Sequence, residues 1–177
     1  MIRLAKEKDL EIIINIYNYA REYMKKTGNT TQWHENYPNK EIAINDINNN
    51  NLYVYEEDNI IHGVFTFIIG EDKTYKIIEE GSWLSNELYG TIHRLASDGK
   101  IKGLFNEVLN YCENIISHIR VDTHENNKVM QHLLLKNGFK RCGIIYVEDK
   151  TPRIAYEKIW FILLIICYNN CEECYYE

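Results

Sequence analysis

The stretch His93–Leu109, HRLASDGKIKGLFNEVL, constrains this chain most. A β-prone segment runs through a glycine-containing turn with two lysines into a helix whose Leu104, Val108, Leu109, Cys112 and Ile116 share one face. A strand feeding an amphipathic helix needs a sheet on which to bury that face, so the chain belongs with layered folds of strands and helices. The first N–H groups of such a helix lack internal acceptors and carry partial positive charge, which suits them to phosphate oxygens. Gly103 permits close approach of a diphosphate to the backbone, and Lys100 and Lys102 add charge. Such junctions are also common where nothing binds, and exposed lysines often serve only to solvate.

The flanking pattern defines the arrangement. Ile2 to Leu4 reads as a short strand, and Leu10, Ile13, Ile14, Tyr17 and Met24 as a first helix that Asp9 opens and Gly28 ends. After a polar stretch carrying Trp33, His34 and Tyr37, Pro38 leads into a second helix near Lys40 to Ile47, stopped by the asparagine run Asn48 to Asn51. Leu52 to Glu56 and Ile60 to Ile69 form a hairpin across Asp58-Asn59, two residues that tolerate positive φ. Tyr75 to Tyr89 is irregular, and Thr91 to Ser97 resumes as a strand. Beyond the central helix come a strand at Ile119 to Asp122, a helix from Asn126 to Lys136, and strands at Phe139 to Val147 and Arg153 to Lys158. The class is α/β or α+β with a mixed sheet.

With 177 residues, 45% hydrophobic and 26% charged, the chain supports one domain, residues 1–158, and a tail, 159–177. The net charge of −6 argues against a general duplex-DNA partner, because phosphate neutralisation needs clustered Lys and Arg, and no nucleic-acid partner is expected. Cationic partners such as amines suit it better. No apolar leader is visible in MIRLAKEKDL, so a cytoplasmic setting with five reduced cysteines is expected. The apolar run Ile159 to Cys167 is far short of the ~20 residues needed to cross a bilayer, and no membrane partner is expected. It extends the last strand, packs on a neighbouring subunit in a homodimer, or forms an unusual terminus. Cys167, Cys171 and Cys174 have the C-x3-C-x2-C spacing of radical S-adenosylmethionine enzymes, but no barrel follows, and the match is taken as coincidence.

Two motifs together carry a resemblance. Leu95-Ala96-Ser97 precedes the turn Lys100-Ile101-Lys102-Gly103-Leu104-Phe105, and Asn127, Met130, Leu133, Gly138 and Phe139 follow on the next helix. Over Met1 to Lys158 the chain resembles the GNAT family of acyl-CoA-dependent N-acetyltransferases. The resemblance implies a mostly antiparallel sheet flanked by helices, with a splayed central strand pair that receives the pantetheine arm of acetyl-CoA. It implies that Leu95 and Ser97 pair with that arm, that the N–H groups of Lys100 to Phe105 meet the pyrophosphate, and that Asn127 bonds the arm. The N–H of Leu95 or Ala96 would polarise the thioester carbonyl.

Three residues depart from the family pattern. Lys100 replaces Gln or Arg, Phe105 replaces a small residue and must point away from the phosphates, and Leu134 stands where many members carry the tyrosine that protonates the leaving thiolate. Tyr146 is a substitute acid, or a half-buried sheet tyrosine.

For the base, His93 is a candidate because imidazole titrates near ~6.5, and it competes with a hydrogen-bonded core role. Glu79 and Glu80 are candidates acting through water, or a solvated loop pair. Trp33, Tyr37, Tyr75 and Trp83 fall in connections where family members build the acceptor pocket, as cation–π walls or as core. Asp122-Thr123-His124-Glu125 lacks the H-E-x-x-H zinc spacing, so no metal is expected. Acetyl transfer to a small-molecule amine or a peptide N-terminus is the leading expectation. The rival is an acyl-CoA-binding or regulatory module that has lost turnover.

Overall fold

A computed structural model describes residues 1–160. Strand β1 (Ile2–Leu4) leads through a single 3-10 turn into helix α1 (Leu10–Lys26). Asp9 is buried at this entry, where it accepts from the Lys6 amide at 2.9 Å and pairs with Arg3 at 2.7 Å. Helix α1 buries Ile13, Ile16, Tyr17 and Ala20, the stripe its hydrophobic spacing demands. Helix α2 (Lys40–Asn48) begins on the Asn39 side chain, which accepts from the Ile42 amide at 2.9 Å. Asp58 and Asn59, both at positive φ, join β2 (Leu52–Glu57) to β3 (Ile60–Ile69) as the sequence predicts.

The second half consists of β4 (Gly90–Ser97), α3 (Leu104–Glu113), β5 (His118–Thr123), α4 (Lys128–Lys136), β6 (Lys140–Tyr146) and β7 (Pro152–Ile159). All seven strands form one sheet in the order β1-β2-β3-β4-β5-β7-β6. Only β4 and β5 run parallel, which makes the sheet mixed and mostly antiparallel, as expected.

The parallel pair is short. Gly90 faces Ile119 and Thr91 faces Arg120, and there the ladder between β4 and β5 stops. Each strand remains tied to its outer neighbour, β4 to β3 and β5 to β7, so the two halves of the sheet diverge and leave a wedge. Leu104, Phe105, Val108 and Leu109 of α3 and Leu134 of α4 bury against Phe65, Phe67, Ile92, Ile119 and Val121. Residues of α1 and α2 close a second cluster with Leu52, Val54 and Val64.

The irregular segment 70–89 has one ladder contact, Glu79 with Ile144. A backbone bond from the Gly70 amide to the Tyr89 carbonyl closes its ends, and side chains hold much of the rest. Glu157, fully buried, bonds Arg120 Nε at 2.9 Å, His118 Nε2 at 2.5 Å and the Leu84 amide. Arg120 in turn lies 3.9 Å from the ring centres of both Trp83 and Tyr89.

Ile159 is the last residue of β7, and the Trp160 amide donates to the Ser117 carbonyl at 3.0 Å. The remaining apolar tail and the spacing of Cys167, Cys171 and Cys174 lie outside the described residues. No helix among the described residues is long and apolar enough to cross a membrane.

Candidate active site

The glycine turn is built by its own side chains. Asp98 accepts from the Lys100 amide at 3.0 Å, Ser97 Oγ accepts from the Gly99 amide at 3.0 Å, and His62 Nδ1 lies 2.8 Å from the other Asp98 oxygen. Gly103, at φ 81°, opens α3, and its carbonyl takes the Asn106 amide at 2.9 Å. The N–H groups from Ile101 to Phe105 find no acceptor among the described residues. A side chain at Gly103 would meet nothing within 4 Å, so the turn is open on that side. Lys100 is a correction to the expected donor set, because its N–H is already spent on Asp98. Phe105 is 6% exposed and turned into the core, so it does not crowd the turn.

Strand β4 carries a bulge beside the wedge. His93 faces Thr66 and Ala96 faces Val64, so Arg94 and Leu95 together oppose Phe65 alone. Arg94 takes φ 50°, in the left-handed region. From Ile92 to Ser97 the β4 edge toward β5 has no strand partner among the described residues, which leaves backbone groups of Leu95 and Ser97 along the wedge, while Ala96 pairs with Val64 of β3.

A cleft of about 670 Å³ follows the wedge, within the size range of small-molecule sites. Trp33, Tyr37, His93, Arg94, Leu95, Phe105, Asp122 and Asn127 line it. Among the described residues its rim and floor carry Glu41, Asp46, Asp72, Asp122, Glu148 and Asp149 against Arg94 and Arg153, so the field favours cations.

His93 sits between two carboxylates. Its Nε2 lies 2.9 Å from Asp72 Oδ2, and its Nδ1 faces Asp122 Oδ1 at 3.9 Å. Burial would raise the Asp72 carboxyl, but bonds from His93 and from the Thr74 hydroxyl and amide outweigh it and hold the group down at about 2. An ionised Asp72 only accepts, so the imidazole proton rests on Nε2 and the Nδ1 lone pair is left for chemistry. Asp122 Oδ1 also accepts from Tyr75 at 2.8 Å. Burial, then the Asp122 charge, pushes the Tyr75 phenol well up, so Tyr75 stays a donor.

Several candidates fall elsewhere. Glu79 is bridged by its backbone to Ile144, which sends its side chain to the outer sheet edge, where it accepts from Tyr146 Oη at 3.0 Å. Tyr146 is 42% exposed, and Glu79, Glu80 and Tyr146 are all absent from the cleft lining. Tyr75 and Trp83 stack on each other with ring centres 5.3 Å apart, and they border a different depression, beside Arg120. Their aromatic faces are spent on each other and on Arg120, because the segment 70–89 lacks a ladder to hold it. Trp33 and Tyr37 do line the cleft, packed edge to face.

Asn127 caps α4, accepting from the Met130 amide at 3.1 Å, while its Nδ2 donates to Gln32 Oε1 at 2.9 Å. Leu134 is fully buried in the core and does not reach the cleft. Asp72 and Gln32 escaped notice because they join the site from far along the chain. Asp72 alone had a local sign, an acceptor two residues before Thr74.

The fold has solved relatives. An acetyltransferase of the GNAT family from Streptococcus agalactiae is 34% identical and superposes with a TM-score of 0.82, over 91% of this chain and 95% of that one. A Staphylococcus aureus protein described as an acetyltransferase is 31% identical with a TM-score of 0.67, over 90% and 98%. The yncA protein of Salmonella typhimurium, solved with its cofactor acetyl-CoA, shares the fold at 15% identity and a TM-score of 0.56, over 90% and 92%. Neither protein-family profiles nor curated protein sequences match the chain.

Proposed function

The chain belongs to the GNAT family of acetyltransferases, and on that premise we propose that it moves an acetyl group from acetyl-CoA to a primary amine by direct attack. The observation that carries this reading is the parting of β4 and β5 after Thr91, with unbonded amides of residues 101–105 at the neighbouring helix start. These features fit the cofactor: a turn open at Gly103 for two phosphates, and an unpaired β4 edge for an amide-bearing arm. The yncA protein carries acetyl-CoA in a related fold, which supports the same ligand here.

When bound, acetyl-CoA supplies an acyl thioester whose thiolate leaves tolerably near neutral pH, thiols titrating at about 8.5. The amides of Ile101 to Phe105 hold the phosphates, Lys102 adds charge, and the backbone of Leu95 and Ser97 pairs with the arm. The N–H of Leu95 donates to the carbonyl oxygen as charge develops there, the Ala96 N–H being turned to Val64 of β3. The acidic cleft gathers the ammonium form of the acceptor, and His93 Nδ1 takes the proton that makes the amine a nucleophile. Asp72 holds the ring by Nε2, with Asp122 facing its other nitrogen. Asn127 bonds the arm with the Nδ2 hydrogen that Gln32 does not take. Trp33 and Tyr37 form the acceptor wall. A cytoplasmic setting suits Cys112 and Cys142, which are free and buried.

Calorimetry with coenzyme A and thiol release from acetyl-CoA over a panel of amines test the reading. Binding heat together with release on at least one amine is expected, and no heat at generous coenzyme concentration would refute it. The second reading, a coenzyme-binding module without turnover, is favoured by Leu134, whose burial leaves no tyrosine acid at that position. Tight binding with no release on any amine would select it.

A further inference from the structure

We propose that Arg94 is a positioning residue, clamped by Asp46 and Thr66 so that the β4 bulge aims the Leu95 amide at the acyl group. This role rests on the acetyl-transfer reading above. At φ 50° glycine would meet the backbone requirement without strain, yet the position carries the side chain richest in donors. What the side chain does is visible. Arg94 Nε and Nη2 lie 3.0 and 2.6 Å from the same oxygen, Asp46 Oδ2, which also accepts from Thr66 Oγ1 at 2.9 Å. Nε is 3.3 Å from Thr66 Oγ1, and Nη1 is 3.4 Å from Tyr37 Oη.

The clamp is protected from water. Asp46 is 5% exposed and Thr66 fully buried. It also spans three elements: Asp46 comes from α2, Thr66 from β3 directly opposite His93, and Arg94 from the bulge itself. Helix α2, which supplies cleft-lining residues, is thereby tied to the strand that presents the oxyanion donor. One ion pair thus sets the direction of two neighbours in sequence, His93 before it and Leu95 after it.

Two variants of the full chain test this. Arg94→Gly keeps a backbone suited to the bulge and deletes the clamp, and Asp46→Asn keeps the shape and removes the charge. In both, the turnover number for acetyl transfer is expected to fall about ten-fold or more, because small displacements of oriented groups are costly. Coenzyme A affinity should fall by less than turnover does, since the phosphate amides are untouched and only the Leu95 contact to the arm is disturbed. Backbone NMR of the coenzyme-free protein should show His93 to Ala96 resonances displaced or broadened while those of β2 hold still.

Arg94→Gly with the parent's turnover number, or with unmoved His93 to Ala96 resonances, would overturn the proposal. So would a parallel loss of turnover and coenzyme affinity, which marks a general structural role. If the parent releases no thiol with any amine, the acetyl-transfer reading fails, and the NMR comparison still decides whether the clamp holds the bulge.

Discussion

Asp72 lies 21 positions from His93, yet the pair is the most specific chemistry in the cleft. Burial raises its carboxyl, and the His93 and Thr74 bonds more than reverse this, to about 2. A value depressed on folding means that the stability from this group is complete above the ordinary carboxylate value of about 3.9 and is lost as pH falls through about 2. Thermal melts across that window should show Asp72→Asn losing less than the parent, by about 1–2 kcal/mol once solvent screening is allowed for. Above the window the variant should be the less stable of the two. In catalysis, His93→Ala should cost about 10²-fold or more and reshape the pH profile of turnover, and a profile parallel to the parent's would reject His93 as the base. His93 was legible as a candidate from its place on the strand before the glycine turn, but its carboxylate partners were not, since neither is near it in sequence.

At the scale of elements, helix α3 and its turn were readable from local rules: apolar spacing for the buried face and glycine for the left-handed entry. Gly103→Val forces a branched residue to φ 81°, at a folding cost of about 1–2 kcal/mol. Its Cβ meets nothing in the coenzyme-free protein, so the larger expected effect is on binding, with a loss of coenzyme A affinity of at least ten-fold by calorimetry, about 1.4 kcal/mol. Unchanged affinity would count against the phosphate turn. Helix α4 makes the opposite point. Leu134 aligned with a family tyrosine in sequence, but its side chain is packed in the core beside Leu104 and Phe105. Leu134→Tyr is therefore expected to overpack the interior, lowering stability by about 1–3 kcal/mol in denaturant titration, without raising turnover.

Across the whole molecule, one buried carboxylate fastens the irregular segment 70–89 to the sheet. Glu157 on β7 faces His118 and Arg120 on β5 and the Leu84 amide, so the irregular chain 70–89 is fastened by a polar network rather than by a ladder. Removing its charge leaves Arg120 buried without its counter-ion. Glu157→Gln should lower global stability by about 3–5 kcal/mol, measured by chemical denaturation. A loss below 1 kcal/mol would mean that the aromatic stack of Trp83, Tyr75 and Tyr89 holds the segment without it.

The strand and helix spans, the Asp58-Asn59 hairpin, the glycine turn and the likeness to the family were determined by the amino-acid order alone, because each depends on periodicity or on conformational preferences within a few residues. The tertiary structure decided which candidates share a cleft. It brought Trp33, Tyr37 and His93 together with Asp72, Arg94 and Asp122, and sent Glu79, Glu80 and Tyr146 to an outer edge and Tyr75 and Trp83 into a stack with Arg120. The reason is geometric: a wedge between two parallel strands exists only once their outer neighbours have paired, and that pairing joins residues far apart in the chain.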